Sequence, residues 1–513
     1  MTATAPHALC DTASGIAYRV ADLLRSPEQV AGAARDAFAA LPPELPLPGW
    51  QPASLLNGHP GIALLHTRCA RTDARYAALG HAHLAAAVAA TTDAGPAAVG
   101  DLLLPARLHA NAHGGYARLL ARSAEVHAAY VRARAAQLVA RRQEHGPGLA
   151  YGDYDAIAGL AGEGRGLLLA ADHGDERCAQ ALGDVLDFLV GISHPVRPAE
   201  GDGTQVPGWW CAPDRYLLPR DRQEFPGGDC NVGVAHGICG PLALLSLAHR
   251  SGHRVPGMQD AIRRMADWVL SMGYTDGRGM QWPGRVALPA RPGKPSRARP
   301  HLRPRPSPEA GTGAGAVVGA VVGAGTGVGA GTGVGAEAGA EAGTGTVTGA
   351  RSRPGWCYGT SGIAWTLHLA GQALDDHRLT ALAEEAVSAL AHRPHDALVS
   401  VDPGLCHGRA GILHTTVRMA TVTGRTTLWE TADHLARELV AEFDARTPFG
   451  YPQVLPPSPA PAPSPPPAPL RMHHPGLLDG ATGTALVLAD YADARRGTPL
   501  AERNGWDAAL LMS

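Results

Sequence analysis

The chain has 513 residues, a formal net charge of −2 at pH 7, 5% aromatic residues, and 64 glycines beside 43 prolines. A charge so near zero leaves no electrostatic footprint for nucleic acid, and eight cysteines in so long a chain read as reduced thiols or ligands rather than a disulfide framework. Met1 to Leu9 has no basic start followed by an apolar stretch, so no secretory signal is expected and the expected compartment is the cytoplasm.

Taken in chain order, glycine pairs of the form G-x-x-G recur at Gly58/Gly61, Gly159/Gly162, Gly237/Gly240, Gly359/Gly362, Gly408/Gly411 and Gly480/Gly483. Apolar runs follow them, such as Ile62 to Leu65, Pro241 to Leu245, Ile363 to Leu367 and Thr484 to Leu488. These runs lack alternation and are too long for turns, so they predict buried helices entered through a glycine turn. A degenerate seventh copy is expected at His113-Gly114-Gly115. The short intervals set the unit at roughly 45 to 55 residues, room for two helices and their loops.

Between the copies, Val126 to Arg142, Asp260 to Met272 and Leu379 to His392 carry charges on one face and Ala, Leu and Val on the other, as a solvent-facing outer layer would. Units of one outer and one inner helix bury their inner helices best when the array closes. The predicted fold is therefore all-α: an α/α toroid of about seven inner/outer helix pairs, a single domain over residues 1–513. With aromatics scarce, Leu, Val and Ala must fill its core.

Two low-complexity loop inserts interrupt the pattern, at about 286–350 and 455–469. The first is rich in Arg and Pro, then almost entirely Gly, Ala, Val and Thr from Ala310 to Ala350. The glycine density and missing Leu and Phe of Ala310 to Ala350 disfavour insertion into a bilayer, so a disordered loop and no transmembrane segment are expected there. The Arg/Pro part reads as a solvated linker, with an acidic peptide as the other candidate contact. The second is a Pro/Ala/Ser run.

Chemistry enters just before the first glycine of each pair. Two positions before it, repeats five and six carry Cys357 and Cys406; one position before it stand His236, Tyr358, His407 and Asp479. In a closed toroid equivalent positions share one rim, so residues far apart in sequence become neighbours. Cys357, Cys406 and His407 then form an S,S,N set soft enough to prefer zinc. Cys406 and His407 would diverge by about 100° on a regular helix; reaching one ion requires a turn, which Gly408 permits. Three protein ligands leave the fourth position open to water or substrate, whereas a fourth from Cys239, His474, Cys211 or Cys230 would make the zinc structural. Cys10, Cys69 and Cys178 read as small apolar fillers.

The segments Asn231-Val232-Gly233-Val234-Ala235-His236-Gly237-Ile238-Cys239-Gly240-Pro241, Trp356-Cys357-Tyr358-Gly359, Cys406-His407-Gly408-Arg409-Ala410-Gly411 and Tyr154-Asp155-Ala156-Ile157-Ala158-Gly159 resemble the signatures of the lanthionine synthetase C-like family, the lanthipeptide cyclases. The resemblance runs from about Ser54 to Leu488, with the low-complexity inserts as departures. It implies an α/α toroid holding one Zn²⁺ through Cys357, Cys406 and His407. It also implies an activity: adding a peptide cysteine thiol to dehydroalanine or dehydrobutyrine to make a (methyl)lanthionine thioether ring.

Residue chemistry agrees with that expectation. Coordination to zinc keeps a cysteine thiol ionised at neutral pH. Attack on the β-carbon of a dehydro residue gives an enolate, which needs a proton at its α-carbon and donors at its oxygen. His236 is the candidate acid. Asp155 matches the family's Asp and would orient His236 or cap the following helix. Arg353 matches the family's Arg and would hold the enolate oxygen, although the adjoining Pro354 departs from expectation and Arg353 also suits the basic linker. Tyr358 is a further donor. The first repeat begins by Leu55 with no P-loop or kinase-like loop in view, so a stand-alone cyclase is expected, with a dehydrated lanthipeptide precursor and a separate dehydratase as partners. A glutathione-adding relative and a zinc-stabilised peptide-binding scaffold are the alternatives; a prenyltransferase-like toroid fits poorly with so few aromatics.

Overall fold

A computed structural model describes residues 4–42, 49–198, 203–289, 355–390, 393, 402–455 and 469–513. Its inner ring consists of α2 (His59–Cys69), α4 (Leu103–His113), α6 (Leu160–Asp172), α8 (Cys239–Arg250), α10 (Thr360–Leu374), α12 (Arg409–Thr423) and α14 (Ala481–Arg495). Each packs on the next, and α14 packs back on α2, so the ring is closed. The outer ring is α3 (Arg75–Ala94), α5 (Ala117–His145), α7 (Glu176–Ile192), α9 (Met258–Ser271), α11 (His377–Leu390), α13 (Thr426–Glu442) and, from the other end of the sequence, α1 (Thr4–Leu23). Each of the first six lies against the inner helix preceding it, and α1 against α14. The fold is thus an all-α, α/α toroid, as expected.

Burial follows the two kinds of helix. On α10 nearly every side chain is buried, from Thr360 through Ala370. On α9 only one stripe is, at Ala261, Ile262, Met265, Ala266 and Val269, the spacing of a helix with one face to the core. Each Val, Leu or Ile so buried contributes about 1.5–3 kcal/mol. The glycines answer to space rather than handedness. Gly359, ahead of α10, is extended at φ −112°, whereas a Cβ on Gly362 would lie 2.0 Å from the Trp356 carbonyl oxygen.

The seventh copy is a correction. His113-Gly114-Gly115 marks the exit of α4, not its entry: Gly114 at φ 76° and Gly115 at φ 83° turn the chain out of the helix. The helix begins instead from a 3-10 turn, Pro96–Leu102, with no glycine pair. Short paired strands adjoin the inserts. β1 (Asp229–Asn231) pairs antiparallel with β4 (Arg285–Ala287), which leads into the first, with Asn231 opposite Arg285. β5 (Pro452–Leu455) and β6 (Leu470–His473) bracket the second, Leu455 opposite Leu470. A small hairpin of β2 (Tyr274–Thr275) and β3 (Met280–Gln281) precedes β4. The inserts themselves, 290–350 and 456–468, lie outside the described residues. Among the described residues no helix is long and apolar enough to cross a membrane.

Near the closure of the ring three imidazoles are buried together. His66 Nε2 and His83 Nε2 both donate to the Leu24 carbonyl, at 3.0 and 2.7 Å, so His83 Nδ1 must accept from His59 Nδ1–H, 3.0 Å away. All three are neutral in this arrangement. Burial lowers their pKa values to about 4 for His59 and His66 and about 2 for His83, with Asp22 the nearby carboxylate working against this at His66. Because the folded pKa values lie below the unfolded value near 6.5, the unfolded chain binds more protons below pH 6.5. Stability therefore falls as pH drops from about 6.5 toward 4, by about 1.4 kcal/mol per pH unit for each imidazole. Guanidinium unfolding at pH 7 and pH 5 should show this slope, and His66→Gln should flatten it by about a third; equal slopes in both proteins would refute the assignment.

Candidate active site

The loops entering the inner helices are built alike. Six residues before the first glycine, Asn231 Oδ1 accepts from the Gly233 N–H at 3.0 Å, Asp402 Oδ1 from Gly404 at 2.9 Å and His474 Nδ1 from Gly476 at 2.9 Å. Such local side-chain to backbone bonds hold a non-helical turn. Neighbouring loops are then tied at the position two before the glycine. Ala235 N–H donates to Cys357 O at 3.3 Å, Cys357 N–H to Cys406 O at 3.0 Å, Cys406 N–H to Leu478 O at 2.9 Å and Leu478 N–H to Leu56 O at 2.9 Å. Both cysteines are thus consecutive links in one backbone belt around the rim. Contact is close: a Cβ on Gly355 would lie 2.7 Å from His407 Cα.

One donor atom each from Cys357, Cys406 and His407 lies within 4.8 Å of the others. Modest side-chain rotation closes this to the roughly 3.5–3.8 Å edges of a tetrahedron set by zinc–sulfur and zinc–nitrogen bond lengths. His407 Nε2 lies 2.9 Å from Asp402 Oδ2; with the proton on Nε2, the lone pair left for a metal is that of Nδ1, 3.9 Å from Asp479 Oδ1. The surroundings are short of positive charge. The Cys406 thiol is pushed well up by its hydrogen bond to Cys357 and by burial, and burial raises Asp479 to about 6. Burial disfavours a charged His407 as well, yet its bonds to Asp402 and Cys357 outweigh this and push its pKa well up. Two thiols and two carboxylates around one imidazole suit a divalent cation. Among the described residues no other Cys, His or carboxylate joins the donor set. Of the other candidates, Cys211, Cys230 and Cys239 are buried elsewhere, and His474 Nδ1 is occupied by Gly476.

Asp402 was not singled out from the sequence, although it occupies the same loop position as Asn231 and His474. Asp402→Asn keeps the acceptor for Gly404 but cannot accept from His407. Its zinc affinity, measured against a chromophoric chelator, should fall about 10- to 100-fold, as for other outer-shell partners of metal-bound histidines; an unchanged affinity would remove Asp402 from this role.

On the same rim His236 Nδ1–H donates to Asp155 Oδ2 at 2.6 Å. Asp155 is 1% exposed, and its Oδ1 accepts from the N–H groups of Ile157, Ala158 and Gly159 at 3.1, 2.7 and 2.7 Å. One Asp155 oxygen organises the turn before α6, whose N-cap is Gly159, and the other holds the imidazole. Burial works against a charged His236, but the Asp155 bond and charge, with Cys357 and Asp479, raise its pKa. Tyr358 stacks obliquely 6.3 Å from His236 and its oxygen accepts from Asn231 Nδ2 at 3.2 Å. Burial pushes its phenol up, so it stays a proton-bearing donor. Asn231, which reasoning from the sequence did not select, orients both its own loop and Tyr358. Arg353 lies outside the described residues.

Three comparisons bear on these residues. The family model described as "Lanthionine synthetase C-like protein" matches residues 49–298 and 342–500. Among solved structures the chain is similar to one titled "Nisin cyclase", at 16% identity and a TM-score of 0.60 over 91% of this chain and 93% of that one; this likeness is one of fold. No curated protein matches the sequence.

Proposed function

The chain belongs to the lanthionine synthetase C-like family, and from that premise we propose that it is a zinc-dependent lanthipeptide cyclase, closing thioether rings by adding peptide cysteine thiols to dehydroalanine or dehydrobutyrine. The observation that carries this reading is the three-donor set of Cys357, Cys406 and His407 on the rim that also bears the His236–Asp155 pair. A zinc ion held by these three would keep a substrate thiol ionised at neutral pH.

The chain's own residues supply the rest. When the thiol sulfur bonds to the β-carbon, the electron pair of the double bond moves to the carbonyl oxygen. The Tyr358 hydroxyl, with its oxygen engaged by Asn231, is the donor to that oxygen. His236, its Nδ1–H fixed on Asp155, delivers a proton from Nε2 to the α-carbon. The proton released by the thiol balances the one gained at carbon, so the product has the mass of the substrate. Arg353, matched by family resemblance, is a second candidate donor to the oxygen. The natural substrate would be a dehydrated precursor peptide supplied by a separate dehydratase, in a reducing compartment such as the cytoplasm that keeps the ligand thiols free.

The test is direct. Incubating the zinc-loaded protein with a peptide bearing one dehydroalanine and one cysteine should remove its alkylatable thiol with no change in mass. Binding with the thiol intact would instead favour a scaffold, and a mass gain in the presence of glutathione would favour a glutathione-adding enzyme.

A further inference from the structure

The segment that follows α14 occupies an unusual place. Beyond α14, Arg503 Nη2 donates to Asp172 Oδ2 at 2.9 Å and to Ser251 Oγ at 2.6 Å, and Asn504 Nδ2 to Asp172 Oδ2 at 3.2 Å. Asp172 ends α6 and Ser251 follows α8, so the chain is here at the mouth opposite the rim. From Gly505 to Ser513 every residue is then buried.

The partners of this segment come from several sides of the ring. Arg165 on α6 donates to Ala509 O at 2.8 Å, Trp365 Nε1 on α10 to Met512 O at 3.0 Å, and His414 Nε2 on α12 to Asp507 Oδ2 at 2.6 Å. Arg418, one turn further along α12, also bonds Asp507. Trp506 Nε1 donates to Asp490 Oδ2 on α14 at 2.7 Å, and α4 packs on the same segment. A stretch that touches inner helices on opposing sides of a closed ring lies along its axis. Arg165, Trp365 and His414 are each six residues past the first glycine of their repeat, which sets this layer about 8 Å below the start of the inner helices at 1.5 Å per residue. Asp507 is the clasp: its Oδ1 accepts from the Ser513 hydroxyl at 2.6 Å, and Ser513 Oγ in turn accepts from the Gly505 N–H at 3.1 Å, folding the segment back on its own start.

We propose that Gly505–Ser513 is a fixed floor closing the ring's far mouth, so that a substrate peptide enters and leaves by the rim alone and the depth above the floor limits how large a peptide loop can be closed. The second half rests on the cyclase reading; the first half does not. A single-ended cup favours peptides whose cysteine and dehydro residue are close in sequence, because a longer intervening loop must be packed into the same space or expelled through the same mouth.

Two measurements test it. Native-state proteolysis of the zinc-loaded protein should leave Gly505–Ser513 uncut, while in Asp507→Asn this segment should be cut at least about tenfold faster with one zinc per chain retained; cutting of the unaltered protein there at the rate of the denatured chain would overturn the floor. Ring closure should then be compared across peptides with progressively longer loops. Deleting Leu510 to Ser513, or substituting Met512→Ala where the deletion does not fold, should raise the rate on the longest loop relative to the shortest by about tenfold. An unchanged loop-length profile would overturn the size limit. No ring closure by the unaltered protein on any peptide would overturn the cyclase reading and the size limit with it, with the protease result still deciding the floor.

Discussion

Replacing Cys406 with alanine should abolish zinc binding and ring closure together while leaving the toroid folded. The fold survives because the belt at this position is made by the backbone: the Cys406 N–H bonds Leu478 O and its carbonyl accepts from Cys357, and alanine keeps both. What is lost is one of only three donors found together among the described residues. Outer-shell changes already cost 10- to 100-fold in affinity at such centres, so removal of a direct ligand should exceed about 100-fold and bring bound zinc from one per chain to near none. Ring closure should fall at least as far, since a free cysteine with pKa near 8.5 is mostly protonated at pH 7. Metal content, far-ultraviolet circular dichroism and loss of alkylatable thiol check the three parts separately. Retained zinc would mean that the donors are not those named.

His236→Ala should separate chemistry from metal binding. His236 is not in the donor set, so zinc content should stay at one per chain, while ring closure should fall by about 10² to 10⁴, the usual contribution of a positioned acid or base. Asp155→Asn probes the same unit. Its retained oxygen can still organise the turn through Ile157 to Gly159, but the new amide nitrogen donates toward His236 and forces the other tautomer; a loss of about 10²- to 10⁴-fold is expected. The pH profile gives the sign. Asp155 raises the His236 pKa, so the protonated acid persists to higher pH than an ordinary histidine, and activity should decline as pH rises through that raised value. Without the Asp155 charge the decline should begin at lower pH. A His236→Ala protein that closes rings at the normal rate would end the assignment.

The repeat was legible because glycines and apolar runs recur locally, and a recurring local pattern is information the sequence carries on its face. The shared register of Cys357, Cys406 and His407 followed from it, since closure turns equal positions into neighbours. Asp402 and Asn231 were within reach of the same reasoning. They sit with His474 six residues before their glycines, but their role depends on where the second oxygen or nitrogen of each side chain points, which only the folded loop decides. The repeat built on α4 is not legible in the glycines because its helix starts from a 3-10 turn, and Gly114 and Gly115 end the helix instead of opening it.

By itself, then, the sequence determined the helix types, the approximate repeat number, the rim and the chemical character of its three-donor set, all of which depend on spacing within one unit. Only the tertiary structure decided that α1 completes the outer ring against α14, that Asp155 serves both a turn and His236, and that Gly505–Ser513 runs up the axis to meet Arg165, Trp365 and His414. These contacts join segments that occur once in the chain and lie up to hundreds of residues apart, so no periodicity announces them. They arise from the burial and hydrogen-bond satisfaction of the closed ring as a whole.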